Sequence, residues 1–281
     1  MRLTAYILAA DPAWIEPSVR SYYDIVEEIV VCYDTDRLGW TGAPIAVDEC
    51  IDRVRAVDVD RKVRLLGGSY YRSGSNPMDN DTNQRQHALA AAGERADWVV
   101  ELDTDEVMPD ARYFSTRLSE IPREYHACFW PMRVMFKQVS PTRFLEVSTR
   151  FRTLCWEYPG PVACRPGVRL THARRTNSPA WTFGVSYSLW NLLNRTNAPA
   201  NARIDAEKAV VHFSWARSDE EIRRKVSGWS HSRDFDTEAY VRDVWGHAET
   251  RWRSYRNFHP VQPSTWPALR PVELANLLGS R

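Results

Sequence analysis

Trp98-Val99-Val100-Glu101-Leu102-Asp103-Thr104-Asp105-Glu106 is the stretch whose reading decides the fold. An apolar run ends in two carboxylates one residue apart, with a third directly behind. In an extended chain alternate side chains share a face, so Asp103 and Asp105 are expected to point the same way. Like charges that close repel unless positive charge lies between them. A divalent cation with oxygen ligands, Mn²⁺ or Mg²⁺, answers that need and also recruits a phosphate-bearing ligand. The plainer alternative is a solvated turn or a helix N-terminus, where Asp and Glu also collect. The flanking segments separate the two.

Upstream, residues 3–9 read as a buried strand, and Asp11-Pro12 as a helix start with the carboxylate at the cap. Residues 28–33 form a second apolar strand that ends at Asp34-Thr-Asp36, before a loop at 37–44. The spacing predicts a helix over 47–57 and a third strand over 62–66. Residues 67–81, rich in Gly, Ser, Asn and Pro, predict a mobile loop, and 82–95 a helix that leads into the Trp98 strand. Strands alternating with helices call for a doubly wound, mostly parallel sheet. Ligands of such sheets bind beyond the carboxyl ends of the strands. Ala9 to Asp11, Asp34 to Asp36 and Asp103 to Asp105 all fall there, so three acidic strand ends predict one site.

After Asp110 the pattern changes. Residues 126–136 and 143–154 read as longer strands suited to antiparallel pairing, and 160–177 as a basic, loop-rich segment. Ser218-Asp-Glu-Glu221 is a capping-box opening to a helix reaching about Ser232. The last forty or so residues carry prolines and tryptophans and are expected to wrap the domain surface.

A chain of 281 residues suits one large α/β domain, or one domain with an appendage. Net charge of +1 leaves no broad basic face for nucleic acid. The five cysteines are scattered, odd in number and form no C-x-x-C pair. That argues against a disulfide framework or zinc site and suits a reducing cytoplasm. The apolar residues 3–10 are too short for a membrane span and lack a convincing cleavage site, so no integral membrane segment is expected. Twelve tryptophans are read mainly as core, because aromatic side chains bury large areas.

In this order the segments resemble the family 2 glycosyltransferases of the GT-A fold. The features that carry the likeness are the first strand and its loop, the strand ending at Asp34, the helix segment Asn83-Gln-Arg85-Gln-His-Ala-Leu89, and the Leu102-Asp-Thr-Asp-Glu106 block. The likeness covers about residues 3–110, then weakly Val211-His212-Phe-Ser-Trp215 and the helix after Ser218. It implies a GT-A (Rossmann-like) α/β fold with a mixed, mostly parallel sheet flanked by helices. It also implies a GT-A domain at 1–217, with a nucleotide-sugar-binding half at 1–110 and an acceptor-side half at 111–217, and a C-terminal α/β extension, its length at 218–281 read as helical.

The implied activity is a metal-dependent, inverting transfer of a sugar from a nucleotide-diphosphate sugar to an acceptor that the residues do not specify. By resemblance, Asp34 would accept a hydrogen bond from the nucleotide base and Arg85 would face the diphosphate. Asp103 would touch ribose or sugar hydroxyls, with Ala9, Asp11 and Thr104 beside the donor. Asp105, with Asp103, would bind Mn²⁺ or Mg²⁺, and His212 would complete the metal sphere. Glu157, between Trp156 and Tyr158, is the expected general base, ahead of Asp205, Glu146 and His172.

Two rivals are weighed against this. Asp103-Thr-Asp105-Glu-Val107 also fits the opening motif of haloacid-dehalogenase-like phosphohydrolases, in which Asp103 would be a nucleophile. Those enzymes place the motif on the first strand and follow it with an Asp pair, and this chain does neither. The other rival is a non-catalytic nucleotide-sugar-binding protein that keeps the fold without turnover.

Overall fold

Every residue of Leu3–Leu8 (β1) is buried in the computed structural model, which describes residues 1–185 and 202–277. The side chains of β1 divide between two layers. Ala5 and Ile7 join the helices Ile15–Tyr22 (α1) and Val47–Val57 (α2), while Tyr6 and Leu8 meet Pro77–Gly93 (α3). Glu28–Asp34 (β2) divides likewise, Ile29 and Val31 to the first layer, Val30 and Cys32 to the second. Both faces are covered, which is why these strands read as continuous apolar runs.

Val63–Gly68 (β3) and Trp98–Glu101 (β4) complete a parallel set in the order β3-β2-β1-β4. The chain moves outward from β1 to β3 and then returns to the other side of β1. A crevice opens beyond the carboxyl ends of β1 and β4 at such a switch. On the far side of β4 the sheet continues through Ala163–Cys164, Ala127–Phe129 and Ala180–Thr182, the first of these antiparallel to both of its neighbours.

With Glu106–Val107 as β5 and Ala127–Phe129 as β6, the next strands are Met132–Ser140 (β7) and Arg143–Ser148 (β8). Ala163–Cys164 is β9, and the short pair Leu170–His172 and Arg175–Thr176 gives β10 and β11. Ala180–Thr182 is β12, Gly184–Val185 and Arg203–Ile204 pair as β13 and β14, and Val210–His212 and Ala268–Glu273 are β15 and β16. A second sheet has the order β16-β8-β7-β15-β5. Among the described residues the remaining longer helices are Ala111–Ser119 (α4), Asp219–Gly228 (α5) and Thr237–Asp243 (α6). The fold is thus mixed α/β, with a large, mostly parallel sheet flanked by helices, as the sequence predicts.

Several boundaries differ for identifiable reasons. Helix α3 begins at Pro77, five residues before the expected start, because Asn76 caps it through the Met78 N–H and Pro77 takes the first turn. The predicted loop shrinks accordingly, and Gly67 and Gly68 belong to β3. Residues 126–136 do not form one strand. Pro131 falls between β6 and β7, which enter different sheets. Asp11 does not cap α1, which starts at Ile15. Residues 218–277 are tied to the sheets before them: β16 pairs along the whole of β8 and α5 packs on the same aromatic cluster as β7. Trp190 lies outside the described residues. Among those described, no helix is long and apolar enough to cross a membrane.

Candidate active site

The crevice beyond β1 and β4 opens into a cavity of about 850 Å³, within the size range of small-molecule sites. Asp11 enters it from the end of β1, Asp103, Thr104 and Asp105 from the turn after β4, and Asp81 and Arg85 from α3. His212 comes from β15. Trp156, Glu157, Trp229, Phe235 and Trp266 add an aromatic lining with one carboxylate.

Local hydrogen bonds explain the turn. Glu106 N–H donates to the Asp103 carbonyl at 3.0 Å, and Asp103 N–H donates back to the Glu106 carboxylate at 3.1 Å. The strand therefore stops at Glu101, and Asp103 and Asp105 sit in a tight turn, not in the extended register expected. Each takes different partners. Asp103 accepts from Arg85 at 2.7 Å, and the same guanidinium donates to Asp81 at 2.6 Å. Asp105 Oδ2 accepts from the Lys225 ammonium at 2.6 Å and from Arg217 at 2.8 Å. Arg217, fully buried, also donates to Asp11 at 2.6 and 2.9 Å. Arg174 forks onto both Glu106 oxygens and donates to the Glu101 carbonyl at 3.0 Å.

His212 is placed by register. It lies opposite Glu106 across the antiparallel β15–β5 pair, with Nε2 3.5 Å from Asp105 Oδ1. Among the described residues its buried Nδ1 has no hydrogen-bond partner. Burial opposes a charged imidazole, but Asp105 and Glu106 outweigh it and raise the His212 pKa above its ordinary value. Burial alone would likewise raise Asp105. Lys225, His212 and Arg217 overcome it and hold that carboxyl well below the usual range. Burial pushes the Glu157 carboxyl up, and this carboxylate accepts the Trp266 indole N–H.

These partners decide how well the residues fit a divalent cation. Mg²⁺ and Mn²⁺ sites gather several oxygen ligands, yet one oxygen of each of Asp103 and Asp105 and both of Glu106 are turned onto protein cations. Asp105 Oδ2 has two, Asp103 Oδ1 one, and both Glu106 oxygens share Arg174. Among the described residues no group of three or more His, Cys, Asp or Glu side chains is arranged to hold a metal. A dication beside Lys225 and Arg217 would also face repulsion of about 4 kcal/mol per pair of unit charges at 4 Å in a partly screened site. The donor set does not fit the metal role assigned to Asp103, Asp105 and His212 from sequence.

Other expected residues are placed less simply. Asp34 is buried and lies outside the cavity lining. Its carboxylate accepts backbone N–H groups of Asp36 (3.0 Å), Leu38 (3.2 Å), Tyr70 (2.8 Å) and Tyr71 (3.4 Å). With those bonds, two to each oxygen, it ties two loops together. Ala9 is buried as well, its N–H donating to the Cys32 carbonyl at 2.9 Å. Of the alternative bases, Glu146 is buried between Arg133 and Arg270, Asp205 lies outside the cavity lining, and His172 is in it.

Sequence reasoning missed Asp81, Arg174, Arg217 and Lys225. Asp81 and Arg85 are four apart on one helix, a pair hidden by the misplaced start of α3. Arg217 immediately precedes the Ser218 cap, and Lys225 lies two turns into the helix that follows. The sequence offers no signal that these two cations reach Asp105, more than a hundred residues upstream.

No family model matches the chain, and no curated protein matches it. Solved structures give distant likenesses. S. aureus TarS shares 11% identity over 90% of this chain and 78% of that one, with a TM-score of 0.37. An active-site mutant of LgtC shares 10% over 80% of this chain and 94% of that one, with a TM-score of 0.41. Glucosyl-3-phosphoglycerate synthase from Mycobacterium tuberculosis, solved with Mn²⁺, UDP and phosphoglyceric acid, shares 16% over 50% of this chain and 44% of that one, with a TM-score of 0.30. The last match spans less than half of the longer chain.

Proposed function

We propose that the cavity binds a nucleotide-activated sugar and transfers its glycosyl group to an acceptor hydroxyl. The observation that carries this is the convergence of Asp11, Asp103 and Asp105 with Arg85 and Lys225 on one cavity at the sheet's switch point. Glu157 and aromatic side chains line the same space. The cations suit a diphosphate, the aromatic faces suit sugar or base rings, and Trp40 stands in the lining beside Arg85.

In the transfer, the acceptor oxygen bonds to the anomeric carbon and its proton passes to Glu157. The bond from that carbon to the phosphate oxygen breaks, and the nucleoside diphosphate leaves with the electron pair. Arg85 and Lys225 stabilise the negative charge that develops on it. Glu157 suits the proton-accepting role because burial raises its carboxyl while Trp266 fixes its direction. Attack from the face opposite the leaving group would invert the anomeric configuration.

A melting screen against UDP-, GDP-, TDP- and CMP-sugars, each with EDTA and with Mn²⁺, tests the reading. One donor at a hundred times its dissociation constant should add about 2.7 kcal/mol of stability. Slow release of the nucleoside diphosphate should accompany it. Absence of any shift would sink the proposal, and binding without turnover would leave the non-catalytic binder.

A further inference from the structure

We infer that this centre works without a divalent cation: the Lys225 ammonium stands on Asp105 where a metal ion would, and receives the charge of the donor's diphosphate. The inference rests on the donor-binding reading above, and it names which positive charge that reading uses.

The two cations on Asp105 are not equivalent. Arg217 is fully buried and spent: its three nitrogens donate to Asp11, Asp105 and the carbonyls of Phe213 and Ser214. It neutralises acid and has nothing to offer a ligand. Lys225 lines the cavity, and its ammonium donates to Asp105 at 2.6 Å and to the Ser214 carbonyl at 2.9 Å. An ammonium has three N–H donors, so one remains for a phosphate oxygen. Arg85 likewise lines the cavity and, among the described residues, spends two of its five donors on Asp81 and Asp103.

The charge balance agrees. Asp11, Asp81, Asp103, Asp105 and Glu106 are matched within the cluster by Arg85, Arg174, Arg217, Lys225 and the neighbouring His212. A dication added there enters a compensated cluster and competes for an oxygen that already serves two donors. Arg175 and Arg224 also line the cavity, and among the described residues neither makes an ion pair. They supply the further positive charge that a diphosphate brings into balance.

Calorimetric titration of the intact protein with UDP, GDP, TDP and CMP, in EDTA and in Mn²⁺, decides the matter. The nucleotide that binds should do so with equal affinity, within threefold, in both buffers. Affinity at least tenfold higher in Mn²⁺ would overturn the inference and leave the donor-binding reading standing. Silence of all four nucleotides in both buffers would remove the donor-binding reading itself, and the inference with it. Lys225→Met should weaken binding in EDTA at least tenfold, and Lys225→Arg should largely retain it. Electron paramagnetic resonance adds a readout independent of activity. Mn²⁺ should remain free with the wild-type protein, and stoichiometric binding of Mn²⁺ by it would overturn the inference. Wild-type-like nucleotide affinity in Lys225→Met counts against the inference, and if that variant does not fold, the wild-type comparison alone decides.

Discussion

Glu101 sits two residues before Asp103 and is buried, with the Tyr6 hydroxyl donating to it at 2.8 Å. Burial pushes its carboxyl up to about 7, against the opposing pull of Cys164, Tyr6, Arg174 and Arg85. A carboxyl whose folded pKa exceeds its unfolded value binds its proton more tightly when folded. Its contribution is therefore fully present below the ordinary value of 4.5 and is lost as pH rises through about 7. His212, also raised, slopes the same way, so the variant comparison is what isolates Glu101. The melting temperature of the wild type should fall between pH 5 and about 7.5 more steeply than that of Glu101→Gln, which keeps an acceptor for Tyr6. At pH 8 the variant should be the more stable protein. Parallel melting curves for the two across that range would show that Glu101 ionises without cost.

Helix α5 links local sequence to the site at the scale of an element. Ser218 accepts from the Glu221 N–H at 3.3 Å, and the Glu221 carboxylate accepts from the Ser218 N–H at 2.9 Å. This capping box was legible from the residues alone, since Ser-x-x-Glu satisfies two otherwise unpaired N–H groups. Helix α3 was misjudged for the converse reason. Asn76-Pro77 carries turn chemistry and helix-start chemistry at once, and only the packing of Met78 and the Asp81–Arg85 pair reveals the second. The β4 strand was legible from its apolar run, but the partners of Asp105 were not, because ion pairs across more than a hundred residues leave no local period. Ser218→Ala should destabilise the protein by about 1 kcal/mol. It should also weaken nucleotide binding severalfold, because Lys225 rides on the helix that the cap starts. Unchanged affinity alongside reduced stability would detach the cap from the site.

At the scale of the molecule, the first hundred residues build the parallel half largely as their periodicity predicts, since β1, β2 and β3 pair in chain order and only β4 returns across the sheet to β1. The second sheet was hidden because its order is nonlocal: β15 pairs parallel with β7, and β16 closes the edge beside β8. The tryptophans show the consequence. Trp215, Trp245 and Trp266 share one cluster with Phe136, Leu145, Ile222, Tyr240 and Leu269. They are core, as their composition predicts, but a core made jointly by the middle of the chain and its C-terminal part. The boundary drawn at 217 would cut through it, removing Lys225, all of β16 and the buried side chains of Ile222, Trp245, Trp266 and Leu269. At about 1.5–3 kcal/mol for each side chain of this size, that loss approaches the roughly 5–15 kcal/mol that holds a whole domain together. It also exposes β8 as an unpaired edge and leaves Asp105 without one of its cations. A chain ending at residue 217 should therefore fail to melt cooperatively, bind a hydrophobic dye and lose its near-ultraviolet tryptophan signal, although it keeps the entire parallel half. A sharp melt and an ordered tryptophan spectrum from that shortened chain would instead establish residues 218–281 as an appendage.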